Sequence, residues 1–269
     1  MRIWDIAPGY LNRASLLGEH RELHGIASIH LHGKRGYAQH PETKRWKHHL
    51  PALYIRHAML VQEMNLRGYA HRSPLPASMM QQDANFNPSV HQHAQDGTAR
   101  HRNLLSFQWP PAIDEPGRQF QLLKEKYKSK EYGRIPLPKH AQMMWAHHKY
   151  SVLARDTQLY QAFGKRAVHA LDETCFFDFA RELTAILYTP PERGSLKNAL
   201  EHMWGYVAKE ARGEEKIQAF QDERAMLATI VTIMHRNRDK HVYLLQQTAL
   251  TDLAVWVELL HNQSGDRHE

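Results

Sequence analysis

Apolar residues recur every three to four positions along most of this 269-residue chain, and nowhere do they alternate strongly enough to build a sheet. An amphipathic helix repeats at 3.6 residues and a half-buried strand at 2, so the expected fold class is all-α, and no internal repeat is visible. Leu16, Leu23 and Ile26, with Ile29 near the same stripe, mark a helix from Asn12, a suitable N-cap, to about His30. A second helix runs from about Leu50 to Arg67, with Pro51 in its first turn, Gly68 as its stop, and Leu53, Leu60 and Met64 as its core stripe. Helix returns over 119–130. Further helices are expected over 140–155, 157–170, 172–188, 195–211 with Ser195 as N-cap, 214–236 and 241–262.

The interruptions set the organisation. Pro74, Pro76, Pro88, Pro110, Pro111 and Pro116, with Asn, Gln, Ser and His between them, make residues 73–117 a long irregular insertion. A loop of that length is functional or mobile. The stretch from Gly33 to Tyr37, continued by His40-Pro41-Glu42-Thr43, reads as a basic loop, and Ile135-Pro136-Leu137-Pro138 as a linker. Two helical domains follow, 1–139 and 140–269, the first small and carrying the insertion at about 73–117.

With 42% hydrophobic residues the chain can bury a core. No apolar run approaches the ~20 residues of a membrane span, and a start with Asp5 and Pro8 is unlike a secretory signal. Cys175 is the sole cysteine, so neither a disulfide framework nor a cysteine zinc site is expected, and the expected location is cytoplasmic, with no membrane partner. Charge is uneven. Residues 1–139 hold 20 Lys+Arg against 11 Asp+Glu, and residues 140–269 hold 15 against 17. A basic first half beside a near-neutral second half assigns phosphate contact to the first; a merely solubilising surface is the plainer alternative.

Met1 and Glu22 carry the candidate chemistry. Methionine aminopeptidases act before small second residues, and residue 2 is Arg, so Met1 is expected to stay. An α-amine titrates near 7.7–8.0, so ~10–20% is free nucleophile at pH 7, whereas a lysine near 10.4 needs heavy desolvation to match it. Ser15, Gly18, Glu22 and Gly25, at helical spacings of 3, 4 and 3, share one stripe. Glu22 is therefore flanked by residues with almost no side chain, which lets a backbone or a sugar approach the carboxylate. A tight helix–helix crossing at the two glycines is the alternative.

Other groups are less specific. His20 and His24, four apart on a helix, suit a metal, but Glu22 faces away from them and the His-Glu-x-x-His zinc arrangement is not formed; His91-Gln92-His93 lies in the insertion. Neither is assigned a metal, and no cofactor is expected. Lys34, Arg35, Lys44, Arg45 and Lys47, interleaved with Tyr37 and Trp46, suit phosphate contact with base stacking, unless Trp46 is core. In the second half His148, Lys149 and His202 are the polar residues that stand out among aromatics at helical spacing.

The first ~139 residues resemble the phage-type pyrimidine-dimer DNA glycosylase/AP lyase family. The resemblance rests on an N-terminal residue followed by Arg2-Ile3, and on Leu16, Glu19, Arg21, Glu22 and Leu23 in the pattern Leu-x-x-Glu-x-Arg-Glu-Leu. It extends to Leu60-Val61-Gln62-Glu63-Met64 with Arg67-Gly68-Tyr69, and to Leu123-Lys124-Glu125-Lys126-Tyr127. It implies that the Met1 α-amine attacks C1′ of a damaged nucleotide, that a Schiff base forms, and that proton loss at C2′ permits β-elimination, with Glu22 as acid/base group and Arg2 and Arg21 on phosphates flanking the lesion in double-stranded DNA. The chain departs from the family in keeping the bulkier Met1 and in placing Gly25 where a basic residue stands. Most of 140–262, through Trp145-Ala146-His147-His148-Lys149-Tyr150 and Asn198–Tyr206, resembles the YbgA-like domain of unknown function, whose partner could be DNA, a nucleobase or a protein. The expected function is a glycosylase with lyase activity on damaged pyrimidines, with UV dimers foremost. The alternatives are a non-catalytic nucleic-acid-binding protein and a glycosylase/lyase for another modified base or for abasic sites.

Overall fold

Asn12 opens the first helix as its side chain dictates: its Oδ1 accepts the Ser15 N–H at 2.9 Å, and the helix α1, Arg13–His32, closes on Gly33 at φ 63°. The computed structural model describes residues 2–81, 108–127, 131–169 and 172–265. Among them every regular element is a helix: α2 Pro41–Arg45, α3 Leu50–Leu66, α4 Pro116–Tyr127, α5 Ala141–Leu153, α6 Thr157–His169, α7 Glu173–Leu187, α8 Arg193–Val207, α9 Gly213–Ala219, α10 Glu223–Arg236, α11 Val242–Leu245 and α12 Ala249–Gly265, with 3-10 turns at Pro8–Tyr10 and Ala77–Gln81. The all-α expectation holds. So do Pro51 in the first turn of α3, the Leu53, Leu60 and Met64 stripe, and Gly68, which takes φ 77° beyond the helix end.

Five local expectations are corrected. Pro41–Arg45 is helix rather than loop, because His40 caps it with its Nδ1 and Pro41 presets its first turn. The expected helix 214–236 is two, since Asp222 accepts the Ala225 N–H at 2.7 Å and starts α10 afresh. The expected helix 241–262 is likewise two, α11 and α12, separated at Gln246–Thr248. Glu192, not Ser195, is the N-cap of α8. The supposed linker is packed: Ile135 is fully buried and its N–H donates to the Gly9 carbonyl at 2.9 Å. Of the expected insertion, residues 82–107, including His91 and His93, lie outside the described residues.

The apolar core crosses residue 139. One cluster joins Ile3, Trp4 and Ile6, the inner faces of α1, α3 and α4, and Ala141, Met144, Phe163, Phe179 and Leu183 from α5 to α7. Ile55 and Met59 on α3 pack with Val255 and Trp256 on α12. A further cluster built on α8, α10 and α12 takes in Leu66 at the end of α3.

Buried polar groups join the same halves. The Tyr10 hydroxyl lies 3.1 Å from His147 Nδ1 and 3.0 Å from His148 Nε2, and His148 Nδ1 is 3.0 Å from the Thr248 hydroxyl. Arg134 forms a fork on Glu63 at 2.7–3.2 Å and reaches the carbonyls of Leu245 and Gln247. The Gly133 backbone lies against Gly9 and Tyr10 so closely that an added Cβ would stand 2.4 Å from the Gly9 oxygen. Gly133→Ala therefore forces a backbone shift and lowers the melting temperature, while the same change at open Gly205 does not.

Tyr10→Phe leaves two buried imidazoles short of a partner and is expected to cost about 1–3 kcal/mol in denaturant unfolding. Burial holds His147 down at about 4 and His148 at about 3, against an ordinary 6.5. Both are neutral in the fold and charge more readily in the unfolded chain, so stability is full above pH 6.5 and is lost as pH falls towards 4. Thermal melts from pH 7.5 to 4.5 show that decline, and His148→Gln makes it shallower.

Candidate active site and nucleic-acid interface

Residues 2–6 run without helical hydrogen bonds through the interior, and Ile3, Trp4 and Ile6 are buried. Extended backbone in such a place must find partners for its amides elsewhere. Three side chains from three helices supply them. Glu42 of α2 accepts the Ile3 N–H at 3.3 Å, Glu19 of α1 accepts that of Trp4, and Gln119 of α4 accepts that of Asp5 at 2.8 Å. Arg56 of α3 grips Glu19 through both oxygens, at 2.7 and 3.1 Å, and donates to the Ile6 carbonyl at 2.9 Å. Burial pushes the Glu19 carboxyl upward, and the Arg56 guanidinium opposes it. The Asp5 carboxylate takes Arg45, Gln119 at 2.9 Å and the Tyr188 hydroxyl at 2.6 Å. The segment is thus tied to α1 at Glu19, one helical turn before Glu22.

Glu22 is half-buried on α1, and its spacing allowed either an open gap or a helix crossing beside it. A Cβ added at Gly18 or at Gly25 would meet nothing within 4 Å among the described residues. Among the described residues the glycines make no helix crossing and leave the flank of α1 beside Glu22 open. Met1, the other half of the expected pair, lies outside the described residues.

The expected phosphate-binding residues separate into two groups. Arg21, Lys34, Arg35, Lys44 and Lys47 are exposed. Tyr37, in the same basic stretch, is 73% exposed and takes φ 57°, a conformation uncommon for a residue with a side chain. Arg2 lies over the Trp4 ring at 4.3 Å and pairs with Asp114, its side chain one-third exposed. Arg45 and Trp46 belong to the interior. The Arg45 side chain is 5% exposed between Asp5 and Glu42, and Trp46 is buried with its indole N–H on Glu42 at 3.2 Å. Trp46 offers no stacking face, and the Arg45 guanidinium holds the N-terminal segment.

In the second half the three candidates do not meet in one site. His148 is buried in the Tyr10 network, His202 is exposed on α8, and Lys149 is half-buried, its ammonium 4.8 Å from the Tyr150 ring and 5.1 Å from that of Tyr243. Sequence reasoning also missed partners: Glu42, Gln119 and Asp5 as anchors, and His57 and His71, which join His20 and His24 in one group. The separations of the missed residues along the chain carry no period, so only the His20 and His24 pair hinted at the group.

Residues 1–77 match the family model described as pyrimidine dimer DNA glycosylase, and residues 149–252 match that of a protein of unknown function, DUF1722. The fused pair of resemblances read from the sequence is thereby shown over these spans, and the first match ends before the Leu123–Tyr127 helix. No curated protein and no solved structure matches the chain. Among the described residues no helix is long and apolar enough to cross a membrane.

The exposure pattern separates candidates for phosphate contact from scaffold. Lys34→Ala with Arg35→Ala is expected to lower the slope of log affinity against log salt by about 2 on duplex DNA, with melting unchanged. Arg45→Ala leaves that slope in place and costs about 3–5 kcal/mol of stability, since it strands buried carboxylates.

Proposed function

We propose that the chain excises damaged pyrimidines, UV dimers foremost, from double-stranded DNA and then cleaves the strand, using the Met1 α-amine as nucleophile and Glu22 as its proton-transfer partner. The observation that carries this reading is the tethering of residues 3–5 to α1, α2 and α4, which ends one turn from a carboxylate whose flank is open. Amine catalysis at a sugar carbon needs a held nucleophile and a proton carrier within reach. The match of residues 1–77 to the glycosylase family supplies the substrate class.

In this reading the uncharged amine attacks C1′, the N–C1′ bond forms as the glycosidic bond breaks, and the base leaves with a proton. The resulting O,N-acetal opens to an iminium as the C1′–O4′ bond breaks and O4′ takes a proton. Glu22 removes the C2′ proton, and the pair forms the C1′–C2′ double bond of an enamine as the iminium electrons return to nitrogen. The enamine then re-forms the iminium, making the C2′–C3′ double bond as the C3′–O bond breaks and the phosphate departs. Water then releases the aldehyde and returns the amine. Arg2 and Arg21 act on phosphates either side of the lesion, where a guanidinium fork suits two oxygens. Opening the stack is least costly at a damaged base.

Glu22→Gln is expected to lower strand cleavage at a thymine-dimer site by at least about 100-fold and to leave salt-sensitive DNA binding within a few-fold of the parent. Cleavage at the parental rate removes Glu22 from the mechanism. Acetylating the N-terminus stops both base release and cleavage while binding persists; unchanged turnover after acetylation contradicts the reading.

A further inference from the structure

His20 and His24, four residues apart on α1, turn toward α3 and the segment that follows it. There they meet His57 of α3 and His71. The rings surround one point: centroids are 4.7 Å apart for His20–His24, 4.9 Å for His20–His57 and His24–His57, 5.1 Å for His20–His71 and 5.3 Å for His57–His71. One nitrogen from each of the four lies within 4.8 Å of the others, and the His24 and His57 Nε2 atoms are 3.2 Å apart. Tetrahedral ligands at about 2.0–2.1 Å from zinc stand about 3.3 Å from one another, so a small contraction of this group completes such a shell.

We propose that these four histidines bind one divalent transition-metal ion of the zinc class, as a closed structural site that clamps α1 to α3 and to the chain at His71. Two observations favour an ion over a cluster of mutually packed rings. His20 Nε2 and His71 Nε2 are buried without a hydrogen-bond partner among the described residues, although both rings belong to the group. The ring of His24 is also hydrogen-bonded to the Ser73 backbone, and an imidazole fixed through one nitrogen presents the lone pair of the other, as metal-binding histidines do. Burial and the neighbouring rings keep His20 and His57 uncharged, at about 4 and about 3, the form in which imidazole is a ligand.

The donor set defines the ion. It is all imidazole, with no carboxylate among the described residues of the group, so it suits Zn²⁺, Co²⁺, Ni²⁺ or Cu²⁺ rather than Mg²⁺ or Ca²⁺. Glu22 lies two residues from both His20 and His24 and projects from the other side of α1. Four protein ligands leave no open position for substrate. The clamp acts on the helix that carries Glu22 without entering its chemistry, and it stands or falls independently of the glycosylase reading.

The test uses the full chain without a histidine tag. Elemental analysis of the purified protein is expected to give one equivalent of metal, and metal-stripped protein titrated with Co²⁺ should develop the visible absorption of a tetrahedral nitrogen-ligated ion, which Zn²⁺ then bleaches. Zn²⁺ should raise the melting temperature of stripped protein. His71→Ala, in which a half-buried ring is lost, is expected to weaken binding about 100-fold or more, beyond the usual effect of losing an outer-shell partner; His48→Ala, at an exposed site outside the group, should not. Should His57→Ala fail to fold, the loaded and stripped melts of the parent chain still decide the matter. Folded parent chain that takes up none of the four ions, or a His71→Ala chain that binds as tightly as the parent, overturns the proposal.

Discussion

Backbone that is buried and not helical has to be satisfied by side chains, and in this protein that requirement falls on residues 3–6. Glu42, Glu19 and Gln119 answer consecutive amides, and Arg56 answers the Ile6 carbonyl while neutralising Glu19. Each of these groups would be costly to bury alone. Together they fix where the chain enters the fold, and they do so from α1, α2, α3 and α4 at once. The arrangement makes residues 3–6 a positioned segment, which chemistry at a preceding terminal amine would require.

The second half holds the same segment from behind. Asp5 accepts the Tyr188 hydroxyl from just beyond α7, Tyr10 meets His147 and His148 on α5, and Arg134 spans from Glu63 to the carbonyls of Leu245 and Gln247. The apolar core runs through these contacts without a break at residue 139. Part of the second half therefore acts as scaffold for the first, whatever else the aromatic surroundings of Lys149 do.

Much of the fold was legible because it depends on local signals. Asn12, Pro51 and Gly68 acted as their types predict, and the stripe of Leu53, Leu60 and Met64 went inside. Some misses are local caps passed over, His40 before α2 and Asp222 before α10; in the others tertiary contact overrode local character. Ile135, just before Pro136, looked like a linker but is core, and Arg45 and Trp46, which looked like a nucleic-acid face, are drawn inward by Asp5 and Glu42. At the candidate site the spacing of Gly18, Glu22 and Gly25 was consistent with an open flank or a tight helix crossing, and the structure leaves that space clear among the described residues. The histidine group was half visible, as a pair on α1; its other members come from residues 57 and 71, which no spacing rule connects to 20 and 24.

The central claim is that the Met1 α-amine, which precedes a segment tethered one turn before Glu22, makes a covalent bond to damaged DNA. Borohydride reduction of the protein mixed with a thymine-dimer duplex, followed by peptide mapping of the adduct, measures it directly. The account predicts a stable protein–DNA adduct on the peptide that begins at Met1. An adduct on a lysine, or none on either the dimer or an abasic duplex, contradicts it.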